Sequence, residues 1–342
     1  MTHQLRIFCS LLILAFSLTL AHGQSVAKCA GTDLLKTLKD KDAKAYNLIF
    51  QNAEKEPNGK GVFWRIEKEG TEPSWLLGTM HTTDERLLEF VTKHFSFALD
   101  KAASVAIENL DVTDPAKVQK KMAENAQLVF FTDGTSIKDH LTSEEQQQLL
   151  EATNAFGIPF DAISLMKPWV SATFLSIPAC EHARQGQGID FLDKAIYQAG
   201  KKNGAKLVGL ETFEEQMSAM GDLPLKDQIA FLNGAAQSAP IAADLFETMT
   251  QLYLAENISA IVPMTKHFSR KVERATEVDK LFESFSKELI VKRNKLMHDR
   301  ALPLILEGNA FIAVGALHLP GDKGLVNLLR KSGYTVTRHS AQ

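Results

Sequence analysis

The stretch FIAVGALHLPGDKG, residues 311–324, begins with an uninterrupted apolar run and ends in a glycine-rich turn that contains His318. The stretch LLGTMHTTDER, residues 76–86, has the same arrangement, with His81 three residues after Gly78. Short apolar runs bounded by glycine and turn residues are typical of buried β-strands. Each histidine therefore comes directly after a predicted strand, and we expect the two to meet at one edge of a sheet.

The predicted strands come from both ends of the chain. The first three are a hairpin within VFWRIEKEGTEPSWLLGTMH and the segment SVAIENL, and two more, AFIAVGALH and YTVTRHS, lie in the last forty residues. Between them the sequence has helical periodicity, except for the short apolar segment AKLVGLE. We predict an α/β (α+β) fold with a central mixed sheet built from both chain ends. It forms one domain, residues 24–342, with a large helical insertion at about 114–299.

Composition and charge exclude one class of partner. The 342 residues are 45% hydrophobic and 23% charged, as in soluble globular proteins, and the formal net charge is −3. Nucleic-acid binding requires a clustered basic surface, so we do not expect nucleic acid as a partner.

The first 23 residues have the pattern of a secretory signal peptide. Arg6 precedes an apolar run of about 15 residues, and small residues follow at Ala21 and Gly23. A membrane anchor is the alternative, but a membrane-spanning helix needs about 20 residues. We predict an exported protein, periplasmic or secreted, with no stable membrane span after cleavage.

Removal of the predicted signal peptide would leave two of the three cysteines in the chain. Cys9 lies in the predicted signal peptide, which leaves Cys29 and Cys180 as an even pair in an oxidising compartment. We predict a disulfide between them. Two buried thiols are the alternative.

Two imidazoles at one sheet edge form an incomplete metal site. A lone histidine after a strand is more often a surface or core residue, but the matched pair favours metal ligation. Carboxylates are the usual third ligand of a divalent ion, and Glu108 follows the apolar end of its strand. Glu211 ends another strand in the same way and is a reserve ligand or a base. A surface position is the alternative for Glu108.

A cation is predicted on an apolar helix face. Arg293 lies four residues after Leu289 and four before Met297, with Asn294 beside it. A buried guanidinium needs a partner, because an unpaired buried charge is costly. A structural salt bridge is one interpretation, and a clamp for an oxyanion or a substrate carboxylate is the other.

With these residues assembled, the chain resembles the TraB/GumN family, whose animal relatives are the Tiki metalloproteases. The similarity covers nearly all of the chain after the signal. It includes both Gly-x-x-His motifs, Gly78 with His81 and Gly315 with His318. The matching segments are CAGTDLL, FWRIEKEG, WLLGTMH, GIDFLDKAI, GLETFEEQ, RN at 293–294 and VGALHLPGDKGLVNLLRKSGYTV.

The resemblance implies a mixed sheet flanked by helices, as in erythromycin-esterase-like and ChaN-like proteins. It also implies a metal site, with manganese or cobalt in the Tiki branch, and peptide-bond hydrolysis in that branch. Zinc is a third candidate ion.

The residues and the resemblance together predict an exported metal-dependent hydrolase that acts on a peptide or protein. His81, His318 and Glu108 would hold the ion, Glu211 or Glu108 would accept a proton, and Arg293 with Asn294 would hold the oxyanion. The alternative is a non-catalytic protein that binds a peptide or small ligand in the same crevice.

Overall fold

The computed structural model describes residues 28–269 and 275–341. The predicted signal peptide, residues 1–23, lies outside the described residues. In the part of the chain that is described, no helix has the length and apolar character needed to cross a membrane.

Six strands form one mixed sheet, and all six lie in segments where the sequence predicts strands. A two-residue turn with Gly70 at φ 77° joins the first two, which pair antiparallel with Phe63 opposite Leu77. The strands are β1 (Phe63–Lys68), β2 (Thr71–Thr79), β3 (Ser104–Ile107), β4 (Lys206–Gly209), β5 (Ala310–Gly315) and β6 (Thr335–Arg338).

The strand order is β4-β3-β5-β2-β1-β6. Strands β4, β3, β5 and β2 run parallel to one another, whereas β1 pairs antiparallel with both β2 and β6. β5, from the end of the chain, therefore lies between two strands from its beginning, and the prediction of a mixed sheet built from both chain ends is confirmed. The residues that follow the four parallel strands all emerge at one edge of the sheet.

Helices surround the sheet and fill most of the chain between β3 and β5, as predicted. The predicted helix that carries Leu289, Arg293 and Met297 is not continuous: a π-helix at Ser286–Lys292 lies between two α-helices. The α-helices are α1 (Leu34–Lys41), α2 (Ala43–Ala53), α3 (Glu85–Leu99), α4 (Pro115–Glu124), α5 (Ala126–Val129), α6 (Ser143–Ala155), α7 (Phe160–Ser164), α8 (Pro168–Leu175), α9 (Ala179–Gly186), α10 (Leu192–Lys202), α11 (Phe213–Gly221), α12 (Leu225–Ser238), α13 (Ala242–Leu254), α14 (Ile261–Ser269), α15 (Ala275–Phe285), α16 (Arg293–Glu307) and α17 (Leu325–Lys331).

Both faces of the sheet are covered by apolar cores. Along β5, Phe311 and Ala313 join the core on one face, and Ile312 and Val314 join the core on the other. A strand buried on both faces reads as a continuous apolar run, which is why β5 is recognisable in the sequence. Each fully buried aliphatic or Phe side chain contributes about 1.5–3 kcal/mol. A third apolar cluster, from Ile137 to Ala236, lies among the helices of the middle segment.

A disulfide joins Cys29 to Cys180, with the two Cα atoms 5.3 Å apart. The N-terminal segment is also held by hydrogen bonds to α13, where the backbone N–H of Thr32 donates to Asp244 at 2.7 Å. The disulfide thus fastens the start of the described chain to α9, in the middle of the sequence.

We expect the double substitution Cys29→Ser/Cys180→Ser to lower the free energy of unfolding by about 2–5 kcal/mol. The bond closes a loop of 151 residues and so restricts the unfolded chain. Urea denaturation measures the change, and a dithiol should lower the stability of the wild type but not of the double variant. Equal stability of the oxidised wild type and the variant would contradict this prediction.

Candidate metal centre at the carboxyl edge of the sheet

Four of the predicted site residues follow the four parallel strands and lie at one edge of the sheet. Glu211 follows β4, Glu108 follows β3, His318 follows β5 and His81 follows β2. Because β5 lies between β3 and β2, Glu108 and the two histidines come from three adjacent strands. The site is therefore set by strand order and not by closeness in sequence.

The glycine of each Gly-x-x-His motif permits a close approach. A Cβ on Gly78 would lie 2.9 Å from Cα of Ala316 and 3.0 Å from its Cβ, so a side chain there would push apart the turns that carry the two histidines. A Cβ on Gly315 would lie 3.2 Å from Oε1 of Glu108. Gly315 thereby lets the carboxylate reach its backbone N–H, which donates to Oε1 at 2.6 Å.

Glu108 is the centre of the cluster. Its Oε1 lies 3.6 Å from Nε2 of His318, and its Oε2 lies 4.0 Å from Nε2 of His81. Arg293 Nη2 and Gln216 Nε2 also donate to Oε2, at 2.7 and 3.2 Å. Burial opposes ionisation, but His318, Arg293, His81 and the Gly315 N–H favour the charged form and lower the pKa of Glu108 to about 2. Both imidazoles thus face one ionised carboxylate.

Each imidazole is oriented by a hydrogen bond from its other nitrogen. Nδ1 of His81 lies 3.0 Å from Oδ2 of Asp193, and Nδ1 of His318 lies 2.6 Å from Oδ1 of Asn294. Since both partners are oxygen acceptors, each Nδ1 carries a proton, and in a neutral ring the lone pair is on Nε2. In metal sites, such outer hydrogen bonds fix the tautomer of the ligand histidine.

The two histidines have opposite environments. The side chain of His81 is 55% exposed, and the charge of Asp193 raises the pKa of His81 to about 9. His318 is buried, and burial lowers the pKa of His318 to about 4, against the attraction of Glu108. The edge of the site that solvent reaches is therefore the His81 side.

Asp193 is a functional candidate that sequence reasoning missed. It lies in the first turn of α10, where its Oδ2 contacts His81 and its Oδ1 accepts a hydrogen bond from Thr79 at 2.8 Å. Gln216, on α11, was missed as well. Both lie in segments that carry the family resemblance. For Asp193, the signal in the sequence was an acid between the apolar residues Leu192 and Ile196, and the structure shows that this acid is buried.

Arg293 bridges the two acids. Its Nε lies 2.9 and 3.0 Å from the oxygens of Glu211, and its Nη2 donates to Glu211 at 2.6 Å as well as to Glu108. Burial opposes the charge on Arg293, but these carboxylates raise its pKa. Burial raises the pKa of Glu211, against the effect of Arg293. Glu211 thus holds the guanidinium, which in turn contacts Glu108.

A π-helix ends directly before Arg293 and Asn294. Such segments are rare and are often found at functional sites. The amide of Asn294 is buried and fully engaged: Oδ1 accepts from His318, and Nδ2 donates to the carbonyls of His318 and Lys323 at 3.3 and 2.8 Å. Asn294 therefore supports His318 and the turn after it, and its role at an oxyanion stays a prediction.

The donor chemistry fits a divalent ion, although the described residues contain no ready-made group of three His, Cys, Asp or Glu donors. Two imidazole nitrogens and one carboxylate are a common ligand set. Ligands of a tetrahedral ion lie about 3.3 Å apart, since each bond is about 2.0–2.2 Å long. The separations of 3.6 and 4.0 Å around Glu108 exceed this by less than about 1 Å.

Several known proteins are similar in sequence to this chain. The chain is similar to Metalloprotease TIKI2 of Xenopus tropicalis, with 25% identity over 80% of this chain and 58% of that protein. It is similar to Metalloprotease TIKI1 of Danio rerio, with 24% identity over 80% of this chain and 62% of that protein. It is also similar to the uncharacterized protein YbaP of Shigella flexneri, with 24% identity over 76% of this chain and 89% of that protein.

The matches to the two metalloproteases thus span about 60% of their lengths. No solved structure matches the chain. The family model of the TraB/PrgY/gumN family matches residues 62–338, which include every strand of the sheet and every residue of the candidate site. The chain therefore belongs to the TraB/PrgY/gumN family.

Proposed function

We propose that this protein is a metal-dependent hydrolase that cleaves peptide bonds. The observation that carries the proposal is the arrangement of Nε2 of His81 and Nε2 of His318 around the buried carboxylate of Glu108. The names of the related metalloproteases support a metal and a peptide substrate. Manganese, cobalt and zinc are the ions to be tested.

His81, His318 and Glu108 would hold the ion. When bound, a divalent ion supplies a Lewis acid that polarises a carbonyl and makes water more acidic. Asp193 and Asn294 keep the imidazoles in the orientation that directs Nε2 toward Glu108. The low pKa of Glu108 keeps it ionised, as a ligand must be at neutral pH.

The roles of the two glutamates and of Arg293 follow from their contacts. Glu108 or Glu211 would accept the proton from water: Glu108 borders both imidazoles, whereas burial raises the pKa of Glu211, which suits a base better than the low pKa of Glu108. We assign to Glu211 the holding of Arg293. Arg293 places a positive charge beside Glu108, where it would stabilise negative charge on a carbonyl oxygen.

Export belongs to the same proposal. The disulfide supports an oxidising compartment, since disulfides persist there and are rare in the cytosol. We propose that residues 1–23 are a signal peptide, that the protein acts in the periplasm or outside the cell, and that residues 24–342 form one domain.

Chelator-treated protein should lack peptidase activity, and manganese, cobalt or zinc should restore it. We expect His81→Ala and His318→Ala to lower kcat/KM by about 10²-fold or more, because each removes one ligand of the ion. Cleavage of a peptide library, followed by mass spectrometry, measures this. His140→Ala is the matched control, since His140 is exposed and its ring stacks on Phe131, which is not a site residue.

Two outcomes would contradict the proposal. Metal binding without cleavage of any peptide would favour the non-catalytic binding protein. Cleavage that persists in chelator but is lost in His81→Ala would show that the pair His81–Asp193 activates water without an ion.

The two glutamates should differ in their effect on the ion. Glu108→Gln removes a charged ligand, and we expect the Kd for Mn²⁺ to rise at least about 10-fold. Glu211→Gln should change that Kd by less than about 3-fold, because Glu211 contacts Arg293, which lies between it and Glu108. Isothermal titration measures both. Equal losses in the two variants would reverse the assignment of ligand and support.

A further inference from the structure

Glu181 is a buried acid whose contacts lie beside the candidate centre. It lies in the first turn of α9 and directly follows Cys180, which forms the disulfide. Only 1% of the surface of Glu181 is exposed to solvent. Its Oε1 accepts a hydrogen bond from the backbone N–H of Thr83 and a second, at 3.2 Å, from the hydroxyl of Thr82.

The residues that Glu181 holds come directly after His81. Thr82 and Thr83 are both buried, and they form the turn that leads from β2 into α3. The carbonyl of Thr82 accepts from the backbone N–H of Leu192 at 3.1 Å, and Leu192 precedes Asp193, the partner of His81. The turn is thus held on one side by Glu181 and on the other by α10.

The other end of the disulfide is anchored to the core. Near Cys29, the N–H groups of Thr32 and Leu34 donate to Asp244 and Thr248 on α13, at 2.7 and 2.8 Å. The same helix carries Tyr253, whose hydroxyl donates to the carbonyl of Gly78 at 2.7 Å. A short connection therefore runs from the packed helix α13 through the disulfide to α9 and the turn after His81.

We propose that Glu181 is a positioning residue for His81 and that the Cys29–Cys180 disulfide holds Glu181 in place. This inference rests on the proposed function, in which His81 holds the ion. A carboxylate that accepts a backbone N–H makes a strong, charge-assisted hydrogen bond, so the turn after His81 is fixed while α9 stays in position. His81 is the more exposed of the two histidines, and it depends on this turn more than buried His318 does.

Reduction of the disulfide would then weaken the metal centre from a distance. A dithiol breaks the S–S bond, leaves two thiols on the protein and becomes a cyclic disulfide itself. Without the bond, α9 loses its covalent link to the N-terminal segment, and the acceptor for the Thr83 N–H becomes less well fixed. Loss of the hydrogen bonds that orient metal ligands typically lowers the affinity for the metal by about 10–100-fold.

The first measurement needs no ion. Hydrogen exchange of the Thr83 amide is compared in metal-free, oxidised wild type, in Glu181→Ala and in Cys29→Ser/Cys180→Ser. We expect exchange at least about 10-fold faster in both variants, and near wild-type rates in Glu181→Gln, which keeps an acceptor oxygen. The amide of Ile312, in the centre of the sheet, reports global unfolding, and Gln185→Ala, exposed on the same helix, is the matched control.

The second measurement is the Kd for Mn²⁺ of the same proteins and of the wild type in a dithiol. We expect about a 10-fold weaker Kd for Glu181→Ala, for the double variant and for the reduced wild type, with Gln185→Ala within about 2-fold. Thr83 exchange or Mn²⁺ affinity that stays within about 2-fold of the wild type in both variants would overturn the inference. If oxidised wild type binds no Mn²⁺, the proposed function fails, and Thr83 exchange alone decides whether the disulfide holds this turn.

Discussion

The parallel pairing of β5 with both β2 and β3 is the constraint on which the candidate centre depends. It joins the last part of the chain to the first, with Gly78 opposite Val314 on one side and Ile107 opposite Ala313 on the other. A shift of one residue in either pairing would turn every side chain of that strand to the opposite face. The apolar cores on both faces of the sheet therefore fix the register, and the register fixes which side chains meet at its carboxyl edge.

The carboxylate at that edge is buried at a cost that its neighbours offset. An isolated ion loses several kcal/mol when it leaves water, and a buried pair is tolerated only when hydrogen bonds satisfy the remaining polar atoms. Around Glu108 these bonds come from Gly315, Gln216 and Arg293. Arg293 is itself satisfied by Glu211. Among the described residues of this network, His81 is the most exposed, so solvent reaches the network mainly from its side.

The sequence predicts more of the strands than of the helices. Each strand is a short apolar run that ends in turn residues, and His81, Glu108, Glu211 and His318 could be chosen because each follows such a run. The π-helix could not be predicted, because it widens a continuous helical pattern without a proline or glycine to mark it. An added residue in a helical turn rotates all later residues of the helix by about 100°, which is why the direction of Asn294 could not be inferred. Asp193 was missed because it lies on a helix and not after a strand, and its contact with His81 arises only from the packing of α10.

The most direct test of the account is a crystal structure of the oxidised protein with Mn²⁺, in which anomalous scattering locates the ion. We predict one anomalous peak at the carboxyl edge of the sheet, within about 2.0–2.3 Å of Nε2 of His81, Nε2 of His318 and an oxygen of Glu108. A peak bound by other residues, or none at this edge at saturating Mn²⁺, would contradict it.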